Sequence, residues 1–240
     1  MTGRNRVHLL FSRLHKWLAI GIGLQVLIWF GSGAFMSFVP IETVRGEHLV
    51  NRNQEVPLPG NIDLTNIAQH VSSGPSGVLS VQILEVDGAP VALIKSKKTG
   101  IIRIDLKSGA ILPVLDAQAV QRIAKASWLG DPKIGTSATW IVKEPGDYRG
   151  DVPVWQVRFD DPDATSVYIE PGTGRILAVR TRTWRVYDFL WGLHIMDWKA
   201  RENINTPWLF AFALSGVAFA LAGAVLLFLR WPRRKRRKAH

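Results

Sequence analysis

The sequence contains no cysteine among its 240 residues. Disulfides and thiolate metal sites are therefore excluded, and the chain carries no disulfide marker of the compartment in which it folds. It also lacks a glycine-rich phosphate loop, a dinucleotide-binding fingerprint, an HExxH zinc motif and a nucleophile elbow. Because these motifs are typical of common hydrolases and kinases, the sequence gives neither activity any support.

Acidic residues are absent from both ends of the chain, residues 1–16 and 230–240. The cations at these ends account for the whole formal net charge of +11, and they are Arg4, Arg6, Arg13, Lys16, Arg230, Arg233, Arg234, Lys235, Arg236, Arg237 and Lys238. Each basic cluster flanks a long apolar run. The excess charge therefore indicates membrane topology, and no nucleic-acid partner is expected.

Two apolar runs, residues 17–39 and 207–229, are long enough to cross a bilayer, which takes about 20 residues. Basic flanks mark the cytoplasmic ends of such helices, so we expect both termini in the cytoplasm and residues 40–206 in the periplasm of a bacterial inner membrane. A cleaved signal peptide is the alternative for the first run. Because the apolar segment of a signal has only about 7–15 residues, we expect this run to be retained as a transmembrane helix.

Residues 101–114 and 166–179 repeat one pattern at an offset of 65 residues. In each copy a strand ends in an acid, a short turn ends in glycine, and a second strand begins with Ile-Leu. The turn glycines, Gly109 and Gly174, tolerate the positive φ that such hairpins require. The repeat therefore predicts two equivalent β-hairpins.

A helical pattern precedes each hairpin, with N-cap candidates at Asp63 and Asp116. Helix followed by antiparallel strands predicts an α+β membrane protein, with two tandem units between two transmembrane helices. The expected segments are a cytoplasmic N-terminus (1–16), a transmembrane helix (17–39), a linker (40–60), two helix-plus-antiparallel-sheet units (61–115 and 116–180), an interfacial aromatic helix and linker (181–206), a transmembrane helix (207–229) and a basic cytoplasmic tail (230–240).

The stretches RLHKWL at 13–18 and LWGLHIMDW at 190–198 stand near the two apolar runs. With the hairpin units between them, they resemble the PepSY-associated transmembrane proteins over nearly the whole chain. The resemblance implies PepSY-like units in the periplasm. It also implies similarity to larger members, inner-membrane reductases that carry electrons across the bilayer on b-type haems, some of which serve siderophore iron uptake.

His15 and His194 match histidines of the family's motifs, and the resemblance implies that they are candidate haem ligands. Trp191 and Trp198 are candidates for packing against the porphyrin, because a haem needs large apolar side chains beside its face. Spacings of three and four residues place these tryptophans and His194 on one stripe of an interfacial helix. An aromatic belt at headgroup depth would produce the same stripe without a cofactor.

One chain cannot supply both ligands of one haem from these histidines. His15 and His194 are expected near opposite membrane faces, about 30 Å apart. His8 and His15 are about 10 Å apart along a helix, which also prevents them from ligating one iron from opposite sides. A six-coordinate haem would therefore need a second histidine from a homodimer or a partner subunit, or the iron would keep a weaker second ligand. The larger members of the family have about four spanning helices and this chain has two, which also argues against a self-contained haem site.

Two further residues bear on function. Gln25 is strongly polar inside the first apolar run, so its amide is expected to find a partner across a helix interface. Thr139, in KIGTSATW, faintly resembles a threonine to which flavin is attached, but the leading acid and a glycine of that pattern are missing. We therefore do not expect a flavin.

Three functions remain open at this point. The first is a subunit of a transmembrane electron-transfer system, linked to haem b and reducing periplasmic ferric iron, siderophore iron or a redox partner. The second is a non-catalytic periplasmic module that binds or inhibits another protein. The third is an accessory scaffold subunit of a membrane complex.

Overall fold

The computed structural model describes residues 3–52, 58, 60, 62, 64–73, 77–98 and 100–230. Asp63, His240 and the basic residues that follow Arg230 lie outside the described residues, so the N-cap predicted at Asp63 has no structural outcome. The chain divides into two compact units. They are a helical unit, Met1–Val39 with Val186–His240, and a central domain, Pro40–Arg185.

The described residues form six helices and eight strands. The helices are α1 (Gly3–Phe38), α2 (Ile41–Val44), α3 (Thr65–Ser73), α4 (Ala117–Ala126), α5 (Arg182–His194) and α6 (Pro207–Arg230). The strands are β1 (Val78–Val86), β2 (Ala89–Ser96), β3 (Gly100–Asp105), β4 (Ile111–Leu112), β5 (Thr136–Ile141), β6 (Val154–Phe159), β7 (Ser166–Ile169) and β8 (Ile176–Arg180).

The helical unit consists of α1, most of α5 and α6. The segments His8–Phe38 of α1 and Pro207–Arg230 of α6 are both long and apolar enough to cross a membrane. α1 also includes basic residues before the apolar run, since no helix-breaking residue interrupts the chain between Gly3 and Gly21. α1 is therefore longer than the apolar segment that marks it in the sequence.

The central domain contains two four-stranded antiparallel sheets, in the orders β1-β2-β3-β4 and β5-β6-β7-β8. Each sheet follows one helix, α3 or α4, as the helix-then-strands pattern predicts. The N-cap predicted at Asp116 is confirmed, because its carboxylate accepts the Ala119 N–H at 2.8 Å. Thr139, the weak flavin candidate, lies in β5 opposite Gln156.

The two repeated hairpin turns have the same backbone geometry. Gly109 has φ +71° and Gly174 has φ +76°, which confirms the predicted equivalence. In both turns the glycine N–H donates at 2.9 Å to the carbonyl of the preceding acid, Asp105 or Glu170. Asp105 also accepts the backbone N–H of Ser108 at 2.7 Å, and this bond lowers the pKa of its carboxyl below the usual value.

A single hydrophobic core joins the two repeats. Alternation along β2 directs Val91 and Leu93 toward α4, where Val120 is fully buried, and the inward face of the second sheet joins the same cluster. Ala92 and Ile94, on the opposite face of β2, pack in a separate cluster with α3. α4 therefore serves both sheets, so the two units predicted from the repeat share one interior.

Candidate functional site

His194, the last residue of α5, is held by a serine of α1. Its Nδ1 lies 2.9 Å from the hydroxyl oxygen of Ser32, a residue that is only 2% exposed. The Ser32 hydroxyl has one proton and also lies 2.6 Å from the Ile28 carbonyl and 3.3 Å from the Trp29 carbonyl, which can only accept. With that proton on a carbonyl, the hydroxyl oxygen accepts from a His194 imidazole protonated on Nδ1, and that tautomer leaves the Nε2 lone pair for a metal.

Three α1 side chains on one face bond to the end of α5. Gln25 donates to the Leu193 carbonyl at 3.4 Å, and Trp29 donates to the His194 carbonyl at 2.8 Å, next to the Ser32 contact. These bonds satisfy carbonyls that a helix end leaves without intrahelical partners. The partner predicted for Gln25 is confirmed. Trp29 and Ser32 were missed, although their spacing from Gln25 of four and seven residues is the signal of a shared helix face.

The prediction that the aromatic stripe of α5 continues to Trp198 is wrong. Met196 has φ +56° and donates to the Leu193 carbonyl, while Asp197 donates to the Gly192 carbonyl at 3.1 Å. This is a Schellman ending, which stops the helix at His194. Trp198 consequently lies beyond the helix and is 57% exposed, so it does not continue the stripe. Glycine is the usual residue at this left-handed position, so the methionine in the sequence did not indicate a helix end.

Trp191 remains on α5 with His194, and their rings are nearly parallel at 12° with centroids 6.4 Å apart. Its indole N–H donates to the Arg201 carbonyl at 3.1 Å. The Arg201 guanidinium in turn pairs with Asp188, whose side chain is 7% exposed. Because the ion pair and the indole bond act together, the segment after α5 is tied back onto the helix that carries His194.

His15 contacts the middle of α6. Its Nδ1–H donates to the Phe219 carbonyl at 3.3 Å, and its ring stacks on the Phe219 ring at 4.1 Å with a 12° angle. A Cβ on Gly223 would lie 3.2 Å from the imidazole, so the glycine permits this close approach. As at His194, the proton on Nδ1 leaves Nε2 as the nitrogen able to bind a metal.

The two histidines are separate sites. Ser32, which contacts His194, is seventeen residues beyond His15 on the same helix, or about 25 Å along its axis. Within the described residues, no group of three or more His, Cys, Asp or Glu side chains could hold a metal ion. The two imidazoles of one chain are therefore too far apart to ligate one six-coordinate iron.

The central domain contains a cavity of about 1050 Å³ between β1, α4 and the β7–β8 turn. All the residues from Gln82 to Gly88 line it. Alternate residues of a strand face opposite sides, so a continuous run in the lining means that the backbone edge of β1 opens onto the cavity. Among the described strands, β1 pairs only with β2 and is an edge strand, and such an edge presents N–H and C=O groups that can pair with another segment.

Comparison with known families identifies the chain. The model for the PepSY-associated TM region matches residues 12–240. The chain belongs to the PepSY-associated TM region family. Membership and the two apolar helices together make it a membrane protein. No curated protein and no solved structure gives a significant match. The region shared with the PepSY-associated TM family includes both candidate histidines and the α1 residues that hold His194.

Proposed function

We propose that this PepSY-associated protein is a subunit of a transmembrane electron-transfer system in the bacterial inner membrane. The observation that carries the proposal is the Ser32–His194 contact, because it orients the imidazole with Nε2 available to a metal. In this proposal both termini are cytoplasmic and the central domain is periplasmic, since all the excess positive charge flanks the two spans.

His194 and His15 are the residues that would each hold a b-type haem, together with a second copy of the chain or a partner subunit. A haem with histidine ligation would supply one-electron transfer, and two such sites about 25 Å apart along α1 would form a path through the bilayer. The chain's own residues hold the ligands in place: the Ser32 hydroxyl bonds to Nδ1 of His194 and the Phe219 carbonyl bonds to Nδ1 of His15. The electrons would pass to periplasmic ferric iron, siderophore iron or a redox partner.

An optical spectrum tests this function. Full-length protein, expressed with adequate haem and purified in detergent, should give a b-type signal in the reduced-minus-oxidised difference spectrum. His194→Ala and His15→Ala should each remove part of that signal while membrane insertion stays normal. Lys16→Ala is the matched control for His15, because it alters the next residue and leaves the imidazole intact. A spectrum without haem, or one that neither histidine substitution changes, would refute the redox function.

A non-catalytic PepSY module that binds another protein is the second candidate function. The cavity beside β1 supports it, because a strand edge next to a cavity can accept an extended segment of a partner by strand addition. The absence of native cysteine allows a clean test. If the module is occupied in cells, Gln82→Cys should be protected from an impermeant thiol reagent there and react once purified. Ser137→Cys, on exposed β5, should react equally in both settings.

A further inference from the structure

A second, smaller cavity of about 360 Å³ lies on the outer face of the β5–β8 sheet, within the central domain. Its charged lining residues are Asp147, Arg158, Arg182 and Arg185. Three cations therefore share a small concave surface with one anion, and the lining carries an excess of two positive charges. Like charges gathered in this way repel one another unless an anion is bound between them.

Only one of the three arginines is neutralised by the protein. Arg185 donates to Asp147 at 3.0 Å and to the Ala164 carbonyl at 2.9 Å, so its guanidinium is fixed. In the part of the chain that the structure describes, the side chains of Arg158 and Arg182 form no hydrogen bond or ion pair. Both guanidinium groups thus keep their donors for a ligand.

Two nearby acids, Asp161 and Asp147, are engaged by other groups. The Asp161 carboxylate accepts the backbone N–H and the hydroxyl of Thr165, both at 2.7 Å, so it is used inside its own loop. Asp147 accepts the Tyr168 hydroxyl at 2.7 Å in addition to Arg185. Each of these carboxylates therefore already has donors from its own surroundings.

Backbone structure holds the two arginines in position. Arg158 lies on β6 directly opposite Ser166 of β7, and both are residues of paired strands. Arg182 begins α5, and its backbone N–H donates to the Asp163 carbonyl at 2.7 Å. A site formed by a paired strand and an anchored helix start is better defined than one formed by loose surface side chains.

We propose that this cavity binds a phosphate oxyanion, with Arg158 and Arg182 as its ligands and Arg185 as a fixed supporting cation. Arginine presents a planar set of donors that matches two phosphate oxygens. The cavity volume is at the lower end for ligand pockets, which suits a phosphate group rather than a large cofactor. The phosphate can come from a phospholipid headgroup or from free phosphate, and the site is independent of the histidines.

Two probes on the full-length protein distinguish these sources. Inorganic phosphate is titrated in detergent at constant ionic strength, and the thermal unfolding midpoint of the central domain is measured against chloride. The same midpoint is compared in nanodiscs of phosphatidylcholine alone and with phosphatidylglycerol, whose phosphodiester is not neutralised by a choline cation and therefore tests the headgroup. Arg158→Gln and Arg182→Gln should each raise, about tenfold, the ligand concentration that gives half of the midpoint shift. Arg175→Gln, an exposed arginine at the opposite end of β8, is the matched control.

A response to free phosphate that both glutamine variants reduce supports a soluble anion. A response confined to phosphatidylglycerol discs, again reduced in both variants, supports a lipid headgroup. Midpoints in chloride that match the unsubstituted protein show that the variants are folded. If neither probe gives a response, or if Arg175→Gln reduces it as much as the other two variants, the cavity is not a phosphate site.

Discussion

At the level of single residues, the histidines differ in how strongly their neighbours fix them. Nδ1 of His194 bonds to a buried hydroxyl at 2.9 Å, whereas His15 donates to a carbonyl at 3.3 Å and relies on ring stacking. The shorter bond is near the usual length for this type, and the longer one is weaker. His194 is therefore the more firmly oriented of the two candidate ligands.

Ser32→Ala should remove the hydrogen bond that orients the His194 imidazole. Loss of the acceptor at Nδ1 is expected to produce a mixture of both tautomers, visible in the ¹⁵N chemical shifts of the ring in ¹⁵N-histidine-labelled protein, and to cost about 1 kcal/mol of stability. Ser37→Ala is the control, because Ser37 lies on the same helix and bonds only to the Gly33 carbonyl. Unchanged ring shifts in Ser32→Ala would mean that the serine does not set the tautomer.

Gly174→Ala should cost more stability than Gly88→Ala. Both glycines have positive φ, so both substitutions carry a strain of about 1–2 kcal/mol. At Gly174 the added Cβ would also lie 3.0 Å from Ile123 and 3.2 Å from Leu115 in the core, whereas nothing lies within 4 Å at Gly88. Denaturant unfolding of the two variants measures the difference. Equal losses would show that backbone strain alone matters at Gly174.

The candidate residues that the sequence predicted are those whose chemistry is local. His15, His194 and Gln25 are conspicuous because a polar side chain in or beside an apolar run needs an explanation. Ser32, Trp29 and Gly223 are ordinary membrane-helix residues by type. Their roles arise only when α1 contacts α5 and α6, and a single sequence does not contain that pairing.

At the level of elements, the helices and strands with a clear hydrophobic alternation or an internal repeat were predicted well from the sequence. The two hairpins predicted from the repeat are β3–β4 and β7–β8, and α4 begins directly after its predicted cap, Asp116. The error at the end of α5 has a specific cause, since Met196 adopts a conformation that side chains disfavour and the periodicity appeared to continue to Trp198. Hydrophobic periodicity indicates which face of a helix is apolar more reliably than it indicates where the helix ends.

The first repeated hairpin should weaken in acid. Hydrogen bonds from Ser108 lower the folded-state pKa of Asp105 below its ordinary value. A lowered folded pKa means that the ionised carboxylate adds stability above the unfolded pKa of about 3.9, and that this contribution is lost as the pH falls through the folded pKa. Unfolding free energy should therefore differ between the native protein and Asp105→Asn at neutral pH, and the two should converge at low pH. A constant difference would contradict this.

At the level of the whole molecule, the shared core predicts that both repeats lose stability together. Val120→Ala removes two buried methyl groups from the interior between the sheets and should cost about 2 kcal/mol. Amide exchange should accelerate in β2 and β7 to a similar extent, because both strands contribute to that cluster. Acceleration limited to one sheet would show that the repeats open independently.

Orientation in the membrane is the second prediction at this scale. A reporter that is active only in the periplasm, fused after His240, should be inactive, because the basic tail is expected in the cytoplasm. The same reporter inserted at the exposed Lys107–Ser108 turn of the central domain should be active. Replacing Arg13 and Lys16 alone should change the result little, since the C-terminal cations remain. The reverse pattern of activity would invert the topology.

The bonds from Gln25, Trp29 and Ser32 to α5 can form only late in the synthesis of the chain. Their partners come 162 to 168 residues later in the chain. At about 5–20 residues per second, a ribosome needs roughly 8–34 s to synthesise them after α1 has emerged. During that interval the amide, indole and hydroxyl of α1 have no partner from α5. Until α5 has been synthesised, these three groups of α1 can be satisfied only by partners other than α5.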